Sequence, residues 1–165
     1  MTLVREVADD EWSVVGWLWQ AFKQDLAPIV DGFPYADGRY QHAELDTYPG
    51  PGRTGYLAWE PHPNTGESAP VAFALVDGLD EEVRHLAAFF VVPASRRVGT
   101  GSDVAAEVLA RHPGPWKIAF QHDNTVAGAF WRRIAQQAWG TSWTETEVEV
   151  PDKPDVPPDH WISTT

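Results

Sequence analysis

The sequence contains no cysteine among its 165 residues. Disulfides, thiolate metal sites and cysteine nucleophiles are thereby excluded. No apolar run approaches the roughly 20 residues that a bilayer-spanning helix needs. The opening stretch, MTLVREVADDEW, has no basic segment leading into an apolar core, so no secretory signal is expected and the chain reads as soluble and cytoplasmic. Basic residues are scarce: 12 Lys and Arg against 24 Asp and Glu leave a formal charge of −12. Nucleic acid and acidic membranes are poor partners for such a chain. A cationic substrate suits it better, although an acidic surface also favours solubility by itself. No Gly-Lys-Ser/Thr completes a Walker phosphate loop, and no Gly-x-Ser-x-Gly marks a hydrolase elbow. The six His are scattered without ligand spacing, so no metal site is expected.

What is present points to a globular α/β or α+β domain. Hydrophobic residues make up 43% of the chain and nine are Trp, enough for a real core. Residues 2–7 read as a strand. Asp9 or Asp10 can cap a helix on which Trp12, Val15, Trp19, Phe22 and Leu26 recur, and Pro28 is expected to end it. DGFPYADG (31–38) is a loop, a short helix is expected over 39–48, and PGPGRTG (49–55) breaks it. Residues 54–60 and 69–76 read as a hairpin, and 83–92 as a central strand. A helix over 100–112 and a strand over 116–121 complete a right-handed βαβ crossover with two parallel strands. Asn124 or Thr125 caps a last helix whose apolar stripe runs Ala127, Phe130, Trp131, Ile134, Ala135, Ala138, Trp139. Residues 143–150 alternate as a strand. The main domain thus spans 1–150, and the Pro-rich tail 151–165 is expected to be irregular, packed on the body or trailing from it, with Trp161 and Ile162 pinning it.

Charge is unevenly spread. Residues 96–133 carry Arg96, Arg97, Arg111, Lys117, Arg132 and Arg133 against only Asp103, Glu107 and Asp123. Within them, FFVVP runs into Arg96-Arg97-Val98-Gly99-Thr100-Gly101 at the mouth of the predicted helix. Free N–H groups and the dipole at a helix start attract anions. Gly99 and Gly101 let a phosphate approach, the two Arg can pair with its oxygens, and Thr100 and Ser102 add hydroxyls. A dinucleotide fingerprint would need a small residue where Val104 stands. The remaining reading is an acyl-CoA pyrophosphate site.

On that reading Arg96-x-x-Gly99-x-Gly101 resembles the loop motif of the GNAT superfamily of CoA-dependent N-acyltransferases. Asn124-x-x-Ala127-x-x-Phe130-Trp131 resembles its second motif, and the order of elements matches across all but the tail. The resemblance implies a mixed, mostly antiparallel sheet flanked by helices, whose central parallel pair splays to hold acetyl-CoA or another acyl-CoA. It places Phe90, Val91 and Val92 along the pantetheine as main-chain partners. It places the amides of Arg97, Val98, Gly99, Thr100, Gly101 and Ser102 around the pyrophosphate, and Asn124 on the pantetheine arm. Ala127, Phe130 and Trp131 line the thioester end. His85 falls where the superfamily often has a Glu base, and an imidazole can do that work. Here His85, Ala87 and Phe89 are expected on one strand face. His122 is a second candidate. Trp131 replaces the Tyr that often serves as general acid, and an indole N–H only donates hydrogen bonds. Acceptor-binding candidates are Tyr35, Asp37, Tyr40 and His42, with Asp31, Trp19 and Asp25 nearby; aromatic faces and carboxylates suit a cationic amine. The implied reaction is direct attack of a small primary amine on the thioester. An acyl-CoA-binding module without catalysis, a carrier-protein thioester as donor, a protein N-terminus as acceptor and a homodimeric assembly stay open.

Overall fold

The computed structural model describes residues 1–165. Its strands are β1 (Leu3–Glu6), β2 (Thr54–Pro61), β3 (Ser68–Asp77), β4 (Arg84–Val91), β5 (Trp116–Phe120), β6 (Trp143–Val148) and β7 (Asp159–Thr164). They form one seven-stranded sheet in the order β1-β2-β3-β4-β5-β7-β6. Every neighbouring pair is antiparallel except β4–β5. The helices are α1 (Trp12–Val30), α2 (Thr100–Arg111) and α3 (Thr125–Trp139). The mixed, mostly antiparallel sheet with one central parallel pair is the fold that the sequence implied.

Period-two alternation sorts the strand side chains between two cores. Phe73, Leu75, Ala88 and Phe90 face α1, where they bury Val15 and Trp19. Ala72, Ala74, Val76, Ile118 and Ile162 face α2 and α3, where they pack on Val104, Val108, Ile134 and Ala135. The sheet is therefore covered on both faces, and its central strands can be apolar throughout.

Four expectations need correction. Residues 39–48 form no helix beyond a single 3-10 turn, Leu45–Thr47. The preceding chain is held through side chains instead: Gln20 bonds both the N–H and the carbonyl of Tyr40, and Trp19 Nε1 donates to the Gln41 carbonyl. Pro28 does not end α1, which runs two residues further before Asp31 turns left-handed at φ 51°. So close to the helix end, the missing Pro28 N–H costs one bond and the turn survives.

The tail is also not irregular throughout. Residues 159–164 form β7, inserted between β5 and β6, with Ile162 fully buried. Only the adjacent Trp161 and Ile162 are apolar in β7, too short a run to stand out against the Pro-rich stretch before it. Finally, the register shifts between Leu75 and Val76 opposite β4. This bulge leaves Ala87 and Ala88 both on the α1 side, while Phe89 packs towards α3. Ala87 and Phe89 therefore do not share a face.

The parallel pair is short. β4 and β5 are in register only at Arg84/Trp116, His85/Lys117 and Leu86/Ile118. Beyond that point β4 stays with β3 as far as Val91, and β5 stays with β7. The two strands part, and an opening lies between them.

Because β7 completes the sheet beside β5, Ile162→Ala is expected to lower the unfolding free energy by about 2–5 kcal/mol. Val148→Ala, at an exposed site on the edge strand β6, should cost under about 1 kcal/mol. Urea unfolding of both variants measures this, and near-equal small losses would contradict a buried β7.

Candidate active site

The mouth of α2 is built from beneath. Glu60 on β2 accepts hydrogen bonds from Thr2 Oγ1 at 2.8 Å, Ser95 Oγ at 2.9 Å and Thr100 Oγ1 at 2.7 Å. Burial pushes the Glu60 carboxyl up, but the three hydroxyls outweigh it and hold it below the usual range. Thr100 is buried, so its hydroxyl is not free for a ligand, contrary to the sequence-based expectation. Gly99 takes φ 101°, a conformation that L side chains rarely adopt, and a Cβ there would meet nothing within 4 Å. The first helical bond runs from Asp103 N to Gly99 O, at 3.1 Å. The N–H groups of Thr100, Gly101 and Ser102 precede it and stay available to an anion.

The two arginines separate in role. Arg96 Nε donates to the Val91 carbonyl at 2.8 Å, and its Nη2 pairs with Asp25 on α1 at 2.9 Å. Its guanidinium also lies over the Phe90 ring. Arg96 thus ties the loop to α1 and points away from the α2 mouth. Arg97 is exposed, with φ 65°, and forms no ion pair.

Between the parted strands, main-chain direction decides which residues face the opening. Val92 N donates to Val71 O at 2.8 Å, so the Val92 main chain is turned to the neighbouring strand. By alternation Phe90 is turned the same way, and the main-chain groups of Phe89 and Val91 point into the opening. The expected trio Phe90, Val91, Val92 is thereby replaced by Phe89 and Val91, with the Val91 carbonyl already held by Arg96. An aromatic cluster forms the wall: Phe89 stacks on Phe130 at 5.6 Å and meets Trp131 edge-on at 5.0 Å. Trp131 is buried at 6% exposure, a core residue with no labile proton to transfer. A Cβ on Gly101 would stand 3.3 Å from Phe130, so its absence lets α2 start against this wall. Ala127 packs beside it, partly buried. Asn124 caps α3, its side-chain oxygen accepting from Ala127 N at 3.2 Å, and its amide nitrogen donates to Gln121 Oε1 at 3.3 Å.

On the α1 side, at the apex where the strands part, lies a polar group that the sequence only half revealed. His85 Nδ1 and Asp77 Oδ1 are 2.8 Å apart, and both side chains are about 30% exposed (31% and 30%). Trp161 of β7 meets the imidazole edge-on. Tyr48 and Glu44 stand close enough to Asp77 to feel its charge. Burial first, then Asp77 and Glu44, raises the Tyr48 phenol above its ordinary value. Desolvation raises the Glu44 carboxyl, with Lys23 opposing and Asp77 adding to the rise. Asp77 sits in an Asp-Gly pair that reads as turn punctuation. Pairing the hairpin outward from Gly78 would have revealed it, since Asp77 and His85 are direct cross-strand partners.

The expected acceptor residues do not assemble into this group. Asp37 is spent on Arg39, with the Asp37 carboxyl held below its usual range by the Arg39 N–H and guanidinium. Tyr35 is exposed on the same turn. His42 pairs with Asp46 at 2.8 Å. Tyr40 lines a separate surface depression with Gln24, Pro28, Asp31 and Phe33. His122, the second base candidate, lies at the end of β5 and contacts His160 of β7.

No protein-family model matches the sequence, and no curated protein matches it. Solved structures do. Arabidopsis thaliana NAA60 in complex with acetyl-CoA superposes with a TM-score of 0.64 at 12% identity, covering 99% of this chain and 97% of that one. The ribosomal-protein-S18-alanine N-acetyltransferase of Escherichia coli gives 0.61 at 13%, covering 99% and 92%. An acetyltransferase of the GNAT family from Staphylococcus aureus Mu50 gives 0.65 at 14%, covering 99% and 98%. The chain has the GNAT fold over its whole length.

Removing the carboxylate beneath α2, as in Glu60→Ala, is expected to destabilise the protein by about 1–3 kcal/mol at neutral pH. The folded-state pKa of Glu60 is depressed, so its stabilisation is complete above the ordinary carboxylate range and is lost as pH falls through the depressed value. Thermal melts across pH should show the two proteins converging in acid. A difference that persisted there would contradict this role.

Proposed function

We propose that the protein is an N-acyltransferase that moves an acetyl group from acetyl-CoA to a primary amine. The carrying observation is the opening between β4 and β5. It begins after Leu86 and Ile118, exposes the main chain of Phe89 and Val91, and ends at the free N–H groups of α2. A pantetheine chain carries amides that could pair with that main chain as an added strand does. The anion mouth with Arg97 suits the pyrophosphate. The neighbours support the same reading: one holds acetyl-CoA, and one is an N-acetyltransferase by name.

The acceptor amine would approach from the α1 side, at the apex. Asp77 holds Nδ1 of His85 and leaves Nε2 as the proton acceptor, directly or through one water. The neutral amine attacks the thioester carbonyl, the C–N bond forms and the C–S bond breaks. The main-chain N–H of Val91 or Phe89 can stabilise the developing oxyanion. The proton taken by His85 returns to the departing thiolate or to solvent, so no Tyr in α3 is required. Glu44 and Asp77 favour a cationic acceptor. A second reading, acyl-CoA binding without turnover, is favoured by Trp131, which stands buried where a proton donor is common.

Free-thiol release from acetyl-CoA with a panel of amines, diamines and short peptides tests the proposal. Turnover with at least one cationic amine is expected, and CoA binding without turnover on any of them would favour the second reading. His85→Ala should lower kcat by about 10²–10⁴-fold while CoA affinity stays. Asp77→Asn should act in the same direction, through the imidazole tautomer. Arg97→Ala should weaken CoA binding about tenfold, the effect of one charge-assisted hydrogen bond. Unchanged affinity in calorimetry would remove Arg97 from the site.

A further inference from the structure

Folding assembles one cluster of ligating side chains that spacing along the chain does not show. His122, Glu147 and His160 each offer a ligand atom, and these atoms lie within 4.8 Å of one another. The sheet brings them there. His160 on β7 is paired with Phe120 of β5 on one side and with Glu147 of β6 on the other. His122 lies in the turn that follows β5, two residues past Phe120, and its ring meets that of His160.

We propose that these three residues bind a divalent transition-metal ion of the zinc class, with the remaining positions left to water. The donor set suits that ion: two imidazoles and one carboxylate, with no thiolate in the chain. His122 Nδ1 and His160 Nε2 are 2.9 Å apart. Two imidazole nitrogens on a tetrahedral zinc stand about 3.3 Å apart, so the rings, which now meet head-on with centroids 5.2 Å apart, need to part by a few tenths of an ångström and to turn off the N···N line so that both lone pairs converge on the ion. The other nitrogen of His160 contacts Glu145 Oε2 at 3.3 Å, which fixes the tautomer and turns the Nε2 lone pair into the cluster. Glu145 itself accepts from Arg132 Nε and Nη2, at 2.8 and 3.0 Å. His160 is further held flat against Phe120, with ring centroids 5.2 Å apart. One ligand is thus oriented by a second layer of contacts, as metal-binding His residues commonly are.

A plain hydrogen bond between the two imidazoles would use only two of the three residues. On metal binding, His122 moves its proton to its other nitrogen, so no proton need be released. His122 and Glu147 are exposed, which leaves the ion a path in. The site ties β6 and β7 to the connection between β5 and α3. The inference rests on this geometry alone and is independent of the acyl-transfer reading.

The test uses the full chain, without a histidine tag and dialysed against chelator. Calorimetry with zinc chloride should show one equivalent bound, magnesium chloride should show none, and zinc should raise the melting temperature. His122→Ala and Glu147→Gln alter exposed positions and should each weaken zinc binding at least tenfold, with far-ultraviolet circular dichroism unchanged. Cobalt(II) should give a visible absorption band that the His122→Ala variant loses. No zinc binding by the wild-type protein, or equal binding by both variants, overturns the proposal.

Discussion

Beyond Leu86 and Ile118 the two parallel strands stop sharing hydrogen bonds, and most of what the protein can do follows from that parting. Each strand keeps its partner on the far side: β3 holds β4 as far as Val91, and β7 holds β5 as far as Phe120. The gap therefore does not cost the sheet its cohesion. What it leaves is main-chain hydrogen-bonding capacity at Phe89 and at the Val91 N–H that nothing in the sheet satisfies, and such groups seek a partner. A ligand with amides of its own can supply one.

The surroundings keep this opening in shape. Glu60 anchors the start of α2 through three hydroxyls, Arg96 ties the loop to α1 through Asp25, and the Phe89–Phe130–Trp131 cluster braces β4 against α3. The anion mouth, the extended gap and the His85–Asp77 pair then lie in succession along one strand. An acyl-CoA laid along them would bring its thioester to the end where the imidazole stands. This succession, rather than any single residue, makes acyl transfer the natural reading of the fold.

Much of the architecture was legible in the sequence because the signals were long and local. The stripe from Ala127 to Trp139, apart from the exposed Ala138, the Gly-rich helix mouth and the βαβ crossover survive in the structure. What was not legible depends on pairing between distant segments. The tail's strand, β7, is short and follows a Pro-rich stretch, so only its insertion between β5 and β6 makes it a strand. The bulge opposite Leu75 moves Ala87 and Phe89 to opposite faces without leaving a mark in the local pattern. The partners of His85 and of His122 are likewise set by strand register: Asp77 across a hairpin, and His160 from the far end of the chain. The Arg pair at 96–97 looked equivalent in sequence, yet one is spent on α1 and the other is free.

Amide chemical shifts measured during titration of the isotopically labelled protein with coenzyme A report on the β4–β5 opening residue by residue. If the ligand lies along the parted strands, the largest changes fall on Phe89 and Val91 and on the amides from Gly99 to Ser102, with Phe90 and Val92 moving less. Saturable binding that leaves these amides unmoved, and instead shifts residues away from the β4–β5 opening, would contradict that placement.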